Sequence, residues 1–200
     1  MTTWRLVTAL GDSALLLPLI AWLAVCLAWI DRRPRDALRW LAAAIACGGV
    51  VALSKLLFMG WGIGPPGLDY TGFSGHTALS LLVWTSMGAL LVRGRWRGAA
   101  IVAGLLVGIG VAISRLALEV HSVSEVLLGA LAGSLSAAWF IGGTPASPDV
   151  SPSRPWTMAV GVMAIGLLCY GRVFPSQHLL QDVAKALSGH GHVFVRHASR

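Results

Sequence analysis

At 200 residues the chain fits one domain, but 56% of its residues are hydrophobic, only 12% are charged and the mean hydropathy is +0.75. A soluble domain of this length has too much surface to hide such an apolar fraction, so a soluble fold is excluded and a bilayer is expected. The net charge of +7 does not point to nucleic acid as a partner, because the basic residues are scattered through short turns with no stripe or aromatic-interleaved patch.

Met1 to Leu10 carries only Arg5, and the apolar stretch after it is long enough to span and lacks a small-residue cleavage site, so the first span is expected to be retained. A span needs roughly 20 apolar residues. Six stretches qualify, at about 11–30, 38–59, 76–93, 98–113, 122–141 and 156–174. The expected fold is therefore an all-α, polytopic membrane helical bundle of about six transmembrane helices, a single domain over 1–200 with 175–200 as a polar tail. The fourth span is short and glycine-rich. Gly104, Gly108 and Gly110 would let a neighbouring helix approach closely, which predicts a central place for it.

Cys26, Cys47 and Cys169 fall inside apolar runs and read as packing residues, with no disulfide expected. The stretch 142–155, with Pro145, Pro148, Pro152 and Pro155, reads as a loop. In the tail, Leu179, Leu180, Val183 and Leu187 recur at helical spacing and predict a short amphipathic helix lying on the membrane. Trp61, Trp96 and Trp156 lie near span ends and suit an interfacial aromatic belt.

Arginine placement orients the bundle. The connections Asp31-Arg32-Arg33-Pro34-Arg35-Asp36 and Arg93-Gly94-Arg95-Trp96-Arg97 are strongly basic and are expected on the cytoplasmic side. The connection from Gly60 to Phe73 holds no Lys or Arg, and the next one on that side holds only Arg115. Both are expected on the extracytoplasmic side, together with the tail from Phe174 onward, although the tail carries Lys185, Arg196 and Arg200.

Two stretches on that side hold most of the chain's hydrogen-bonding chemistry: Phe73-Ser74-Gly75-His76, and Ser114-Arg115 followed by His121 and Glu125. Ionisable groups at membrane depth are costly and functional by default. His121 and Glu125 are four apart, so a helix from Val120 onward would place them on one face, with Glu125 accepting from one imidazole nitrogen and leaving the other as nucleophile or base. The carboxylate also favours the imidazolium, which predicts a raised His121 pKa. Ser74, Gly75 and His76 would form a helix N-terminus, where free N–H groups bind anions and Gly75 admits close approach. Arg115, beside Ser114, supplies a planar fork for phosphate oxygens, and Lys55 a further cation.

Each residue has a plainer reading: a histidine at a helix end as a cap, Ser-Gly as a turn, an arginine near a span end as a snorkelling anchor. Their coincidence at one face outweighs these. Ser188-Gly189-His190 repeats the tripeptide with no Ser-Arg after it and reads as chance; His190, His192 and His197 read as a flexible segment rather than a metal site. Asp69 and Tyr70 could line the mouth of a pocket or serve as turn and interface residues.

The pair Ser74-Gly75-His76 and Ser114-Arg115-x5-His121-x3-Glu125 resembles the second and third signatures of the type 2 phosphatidic acid phosphatase superfamily, whose pattern is Lys-x6-Arg-Pro, Pro-Ser-Gly-His and Ser-Arg-x5-His-x3-Asp. The resemblance covers about residues 50 to 130. It implies an integral membrane lipid phosphate phosphatase, independent of metals and cofactors. In that scheme His121 attacks phosphorus, Glu125 orients it, His76 protonates the leaving oxygen and later activates water, and Ser74, the Gly75 amide, Ser114, Arg115 and Lys55 hold phosphoryl oxygens. The implied substrate is a lipid phosphate or diphosphate, such as phosphatidylglycerophosphate, phosphatidate or polyprenyl diphosphate, drawn from the membrane. Compact loops suggest a bacterial cytoplasmic (inner) membrane.

Three departures from the pattern stand out. Phe73 replaces proline, Glu125 replaces aspartate, and Lys55 is not followed by Arg-Pro, which leaves one phosphate-binding cation missing. Trp61 as a substitute donor, or a substrate of different shape, would answer the last. Two rivals keep the site: a lipid phosphotransferase, and a non-catalytic lipid-phosphate-binding membrane protein, for which a retained nucleophile has no use. An intramembrane serine protease using Ser74 fits Arg115 and Glu125 poorly.

Overall fold

In a computed structural model that describes residues 2–92, 94–144 and 154–195, all regular structure among the described residues is helical. Among the described residues eight α-helices run in chain order: α1 (Thr2–Ala9), α2 (Ser13–Val25), α3 (Pro34–Trp61), α4 (Gly75–Leu91), α5 (Arg97–Ala117), α6 (Val123–Gly142), α7 (Arg154–Cys169) and α8 (Ser176–Ser188). Local chemistry sets most of their ends. Asp12 caps α2 by accepting from the Ala14 N–H at 2.8 Å, and α2 then continues into a wider π turn over Cys26–Ile30. Pro34 opens α3, where a missing N–H costs nothing, and Gly62 closes it in the left-handed region at φ 67°.

These helices match the expected spans. Thr3–Ile30, Pro34–Trp61, Gly94–Ala117 and Val123–Gly142 are long and apolar enough to cross a membrane, and the shorter apolar helices Gly75–Leu91 and Trp156–Cys169 bring the total to about six. Their outward faces carry exposed apolar stripes, such as Val102, Leu106, Ile109 and Ile113 on α5 and Leu127, Leu131 and Leu135 on α6. That spacing is one helical face, here the face that meets lipid.

The centre of the bundle is α4, which packs against α2, α3, α5, α6 and α7 and is buried along most of its length. The expectation that α5 would be central is corrected. Its glycines do allow close approach: a Cβ on Gly104 would run into the Trp84 backbone of α4, and one on Gly108 would lie 2.6 Å from Leu81 Cδ2. That fit uses one side of α5 only, and the opposite side faces lipid. Gly110 takes no part, having only Val7 nearby at ordinary contact distance. Without a hydrophobic drive between helices in lipid, small residues that bring backbones together carry the packing.

The two ends of the bundle differ. At one end Arg39 Nη1 donates to Gly143 O at 2.6 Å, and Arg97 Nε and Nη2 donate to Ala89 O and Thr144 O. These arginines satisfy the C-terminal carbonyls of α4 and α6. At the other end lie the N-termini of α4 and α6, α1, the 62–74 connection and α8.

The tail helix exists, but it is docked: α8 packs on the C-terminal part of α3, with Ala184 fully buried and Leu179, Val183 and Leu187 exposed. His190 Nδ1 hydrogen-bonds Gly60 O at 3.0 Å, and His190, His192 and Phe194 pack ring on ring. The expected flexible segment is therefore ordered against α3 as far as Val195. In the expected proline-rich loop, Pro155 belongs to the first turn of α7, where proline is tolerated. Residues 145–153 of that loop, and Arg93, Arg196, His197 and Arg200, lie outside the described residues.

Candidate active site

The turn that carries His121 is set by α5 and α6 together. Beyond Ala117 the chain reverses through Glu119, whose φ of 54° is a left-handed value non-glycine residues seldom adopt. The Glu119 and Val120 N–H groups close the turn on Leu116 O and Arg115 O. Ser122 then caps α6: its Oγ accepts from the Glu125 N–H at 3.3 Å while Glu125 Oε2 accepts from the Ser122 N–H at 3.0 Å. This capping box corrects the expectation of a helix from Val120. His121 precedes the cap, and it meets Glu125 across the helix end rather than along a helical face.

The contact is nonetheless the expected one. His121 Nδ1 and Glu125 Oε2 are 2.7 Å apart, with the carboxylate fully buried and the imidazole nearly so. A carboxylate acceptor puts the proton on Nδ1, so Nε2 carries the lone pair. Oε1 of Glu125 accepts from the Thr71 N–H at 2.6 Å and from Thr71 Oγ1. One carboxylate thus orients the imidazole, caps α6 and anchors the connection from α3 to α4.

That connection brings in the second stretch. Gly72 adopts φ 121° and lies against Lys55, where a Cβ would come 2.9 Å from Lys55 Cα, so only glycine fits there. The Phe73 N–H donates to Ser54 Oγ at 2.9 Å, a bond that a proline could not make. The Ser74 N–H donates to Glu125 O at 3.0 Å and thereby ties the start of α4 to the start of α6. One turn into α6, a Cβ on Gly129 would sit 2.6 Å from Ser74 O. α4 points its free N–H end toward the space that Gly75 and His76 line, whereas the first N–H groups of α6 are taken up by its capping box.

That space is a cavity of about 720 Å³ whose wall includes Lys55, Gly75, His76, Arg115 and His121, five of the eight residues the sequence singles out. Glu125 stands behind His121. Ser74 and Ser114 are fully buried and do not line it: Ser74 Oγ accepts from Thr77 Oγ1, and Ser114 Oγ donates to Val111 O in its own helix. Lys55 Nζ donates to Gln177 Oε1 of α8 at 3.3 Å. Arg115 Nη1 donates to Thr8 Oγ1 at 3.0 Å, and its Nε is buried with no acceptor among the described residues. A buried guanidinium N–H left open beside a cavity is a place for an anion.

Sequence reasoning missed α1 and the Asp12 cap between α1 and α2. Asp12 is held by two backbone donors on Oδ1, Ala14 at 2.8 Å and Phe174 at 3.2 Å, and its Oδ2 lies 3.7 Å from His76 Nε2. The signal was present, since a carboxylate immediately before an apolar span asks for a partner. Thr71 gave no such signal. Of the other candidates, Asp69 offers its carbonyl to Ser122 and Ser124, Tyr70 packs edge-on to Phe58 and Phe73, and Trp61 is exposed. None of the three lines the cavity.

Electrostatics correct one expectation. Burial pushes the His121 imidazole below its ordinary value of 6.5, and it outweighs the opposing pull of the Glu125 carboxylate. Lys55 and Arg115 push in the same direction as burial. The shift favours the neutral form of His121, the one in which nitrogen is a nucleophile.

Residues 60–149 match the PAP2 superfamily, a range that includes the second and third stretches and begins after Lys55. Over 191 residues, 92% of this chain, there is 37% identity to a Klebsiella pneumoniae protein described as an uncharacterized 22.5 kDa protein in the cps region, 91% of which is covered. No solved structure matches the chain. The helical architecture, the paired stretches and these likenesses agree, and the chain belongs to the PAP2 superfamily.

Proposed function

We propose that this protein is an integral membrane phosphatase that hydrolyses a lipid phosphate monoester or polyprenyl diphosphate through a phosphohistidine intermediate, at the extracytoplasmic face. The observation that carries the reading is the His121–Glu125 pair, 2.7 Å apart, with His121 on the wall of a cavity shared with His76, Lys55 and Arg115 and Glu125 behind it. Simple binding of a phosphate needs no buried carboxylate fixing a neutral imidazole.

In the first step His121 Nε2 forms a bond to phosphorus as the P–O bond to the leaving group breaks. The electron pair passes to the leaving oxygen, which takes a proton from His76. Developing charge on His121 is met by Glu125, which already accepts from Nδ1. The phosphoryl oxygens are met by Arg115, Lys55 and the first N–H groups of α4, donors fixed before the reaction begins. In the second step water attacks phosphorus, the N–P bond breaks, and His76 takes the water proton. Asp12 sits where it can hold His76 in place for both steps.

The extracytoplasmic assignment is supported by the basic connections, which share the bundle end held by Arg39 and Arg97, away from the cavity. The test is inorganic phosphate release in detergent from a panel of lipid phosphates and diphosphates, with chelator present, by wild type and His121→Ala. Release that survives chelation and is lost in the folded variant supports the reading. Binding without release by wild type sinks the catalytic part of it.

A further inference from the structure

The first motif lacks its arginine, and the cavity supplies two from elsewhere. Arg5 on α1 and Arg172 in the turn between α7 and α8 both line it. Resting on the phosphatase reading above, we propose that Arg5 and Arg172 form a second anion subsite at the mouth of this cavity, which holds the inner phosphate of a lipid diphosphate while the outer phosphate meets His121.

The placement is fixed by contacts on either side. Arg5 and Thr8 are three apart on α1, which puts their Cβ atoms roughly 5–6 Å apart on one face. Thr8 Oγ1 accepts from Arg115 Nη1 at 3.0 Å, so Arg5 stands one helical turn beyond the residue that touches the first phosphate site. Arg172 is brought beside it by a turn fastened at both ends. Tyr170 OH donates to Leu6 O at 2.8 Å, next to Arg5, and the Phe174 N–H donates to Asp12 Oδ1 at 3.2 Å. Between these ties Gly171 takes φ 77° and the Arg172 N–H closes on Cys169 O at 3.1 Å. Such a turn is held too firmly for Arg172 to be there by accident of a loose loop.

Neither guanidinium has a hydrogen bond or ion pair within the described residues, whereas Arg115 is on Thr8 and Lys55 on Gln177. Among the described residues the cavity wall carries one carboxylate, Asp12, and that one faces His76. Two like charges brought to one mouth repel until an anion joins them. A monoester is met by Arg115, Lys55 and the α4 amides alone. A second phosphate, one position further along the same molecule, is what a second pair of forks is placed to hold.

The chemistry gains from this arrangement. As the bond from His121 Nε2 to the outer phosphorus forms, the bridging P–O bond breaks and its electron pair goes to the bridging oxygen. That oxygen leaves as part of a lipid monophosphate and takes the His76 proton as charge builds on it. Arg5 and Arg172 sit where the charge develops.

The subsite is tested with farnesyl diphosphate and farnesyl monophosphate, which share a chain and differ by one phosphate. In Arg5→Gln/Arg172→Gln the ratio of kcat/KM for diphosphate over monophosphate should fall about tenfold or more, which is about 1.4 kcal/mol or more. Arg5→Lys/Arg172→Lys should recover part of it. An unchanged ratio, or equal loss on both substrates, overturns the subsite. Binding is read separately by calorimetry in His121→Ala: preference for diphosphate that disappears in the triple variant keeps the subsite even if wild type hydrolyses nothing, which sinks the phosphatase reading alone. If the arginines alter only retention on phosphatidylglycerol micelles and not diphosphate preference, they are lipid-headgroup anchors and the proposal fails.

Discussion

Glu125→Gln separates the two tasks of this carboxylate. In the wild type Oε2 accepts from His121 Nδ1 and the Ser122 N–H, and Oε1 accepts from Thr71. An amide keeps one acceptor oxygen. If that oxygen stays on Thr71, the amide NH₂ faces two donors, and His121 escapes the clash only by moving its proton to Nε2. The nucleophilic lone pair is then on the wrong nitrogen. A carboxylate-to-amide change behind a catalytic histidine costs roughly 10⁴ in rate, about 5 kcal/mol at 1.36 kcal/mol per decade. Leaving the buried Ser122 N–H unpaired costs stability as well, on the order of 1–3 kcal/mol. Glu125→Asp is the control: its carboxylate is about 1.5 Å shorter, so it can reach His121 or Thr71 but not both, and it keeps the tautomer. The assay is phosphate release by each variant, with folding checked by melting in detergent. Gln should fall by roughly 10³–10⁴ and Asp by roughly 10–100. A folded Gln variant within tenfold of wild type would show that Glu125 is only a tether for the connection before α4, and the nucleophile assignment would fall with it.

Two further outcomes are expected. Because burial holds His121 below its ordinary 6.5, its neutral form persists to lower pH than a free imidazole; ¹⁵N histidine NMR, with the signal assigned by its loss in His121→Ala, should show a midpoint under 6.5, and Lys55→Met, which removes a cation that disfavours the imidazolium, should raise it. A midpoint above 6.5 in wild type refutes the dominance of burial. In the bundle, a Cβ on Gly133 would run into the Ala78 backbone of α4, whereas Gly49 has nothing within 4 Å; Gly133→Val should lower the melting temperature by an amount equivalent to about 1–3 kcal/mol, and Gly49→Val should not.

What the sequence showed and what it hid divide by distance along the chain. The spans were legible because each is a continuous apolar run, and Ser74-Gly75 marked the N-terminus of α4, whereas the expectation of a helix from Val120 misses the Ser122 capping box of α6. His121 and Glu125 were legible because they are neighbours. The partners of those residues were not. Thr71 reaches Glu125 across 54 positions, Phe174 reaches Asp12 across 162, and Tyr170 reaches Leu6 across 164. No periodicity marks such pairs: the first exists only once the connection before α4 has met the start of α6, the others only once the turn after α7 has closed over α1 and the Asp12 cap. The sign of the His121 shift was hidden for the same reason: the carboxylate that raises it is four residues away, while the burial that lowers it comes from the whole fold.

Charge placement at the two ends argues for an anion at one of them. At the basic end, Arg39 and Arg97 donate to carbonyls at the C-termini of α4 and α6, where a helix favours positive charge. At the cavity end, Lys55, Arg5 and Arg172 converge on a space into which α4 points its N-terminus, the end that disfavours positive charge. Arg115 is better placed, in the last turn of α5, yet its Nε is buried without an acceptor among the described residues. Cations that stabilised the fold alone would sit at the other ends of these helices. Gathered here, with Asp12 on the wall and Glu125 behind His121 as the nearby carboxylates, they leave an excess of positive charge that an anion would offset. An excess of positive charge at that end suits an anionic ligand, which agrees with the phosphate substrate proposed above.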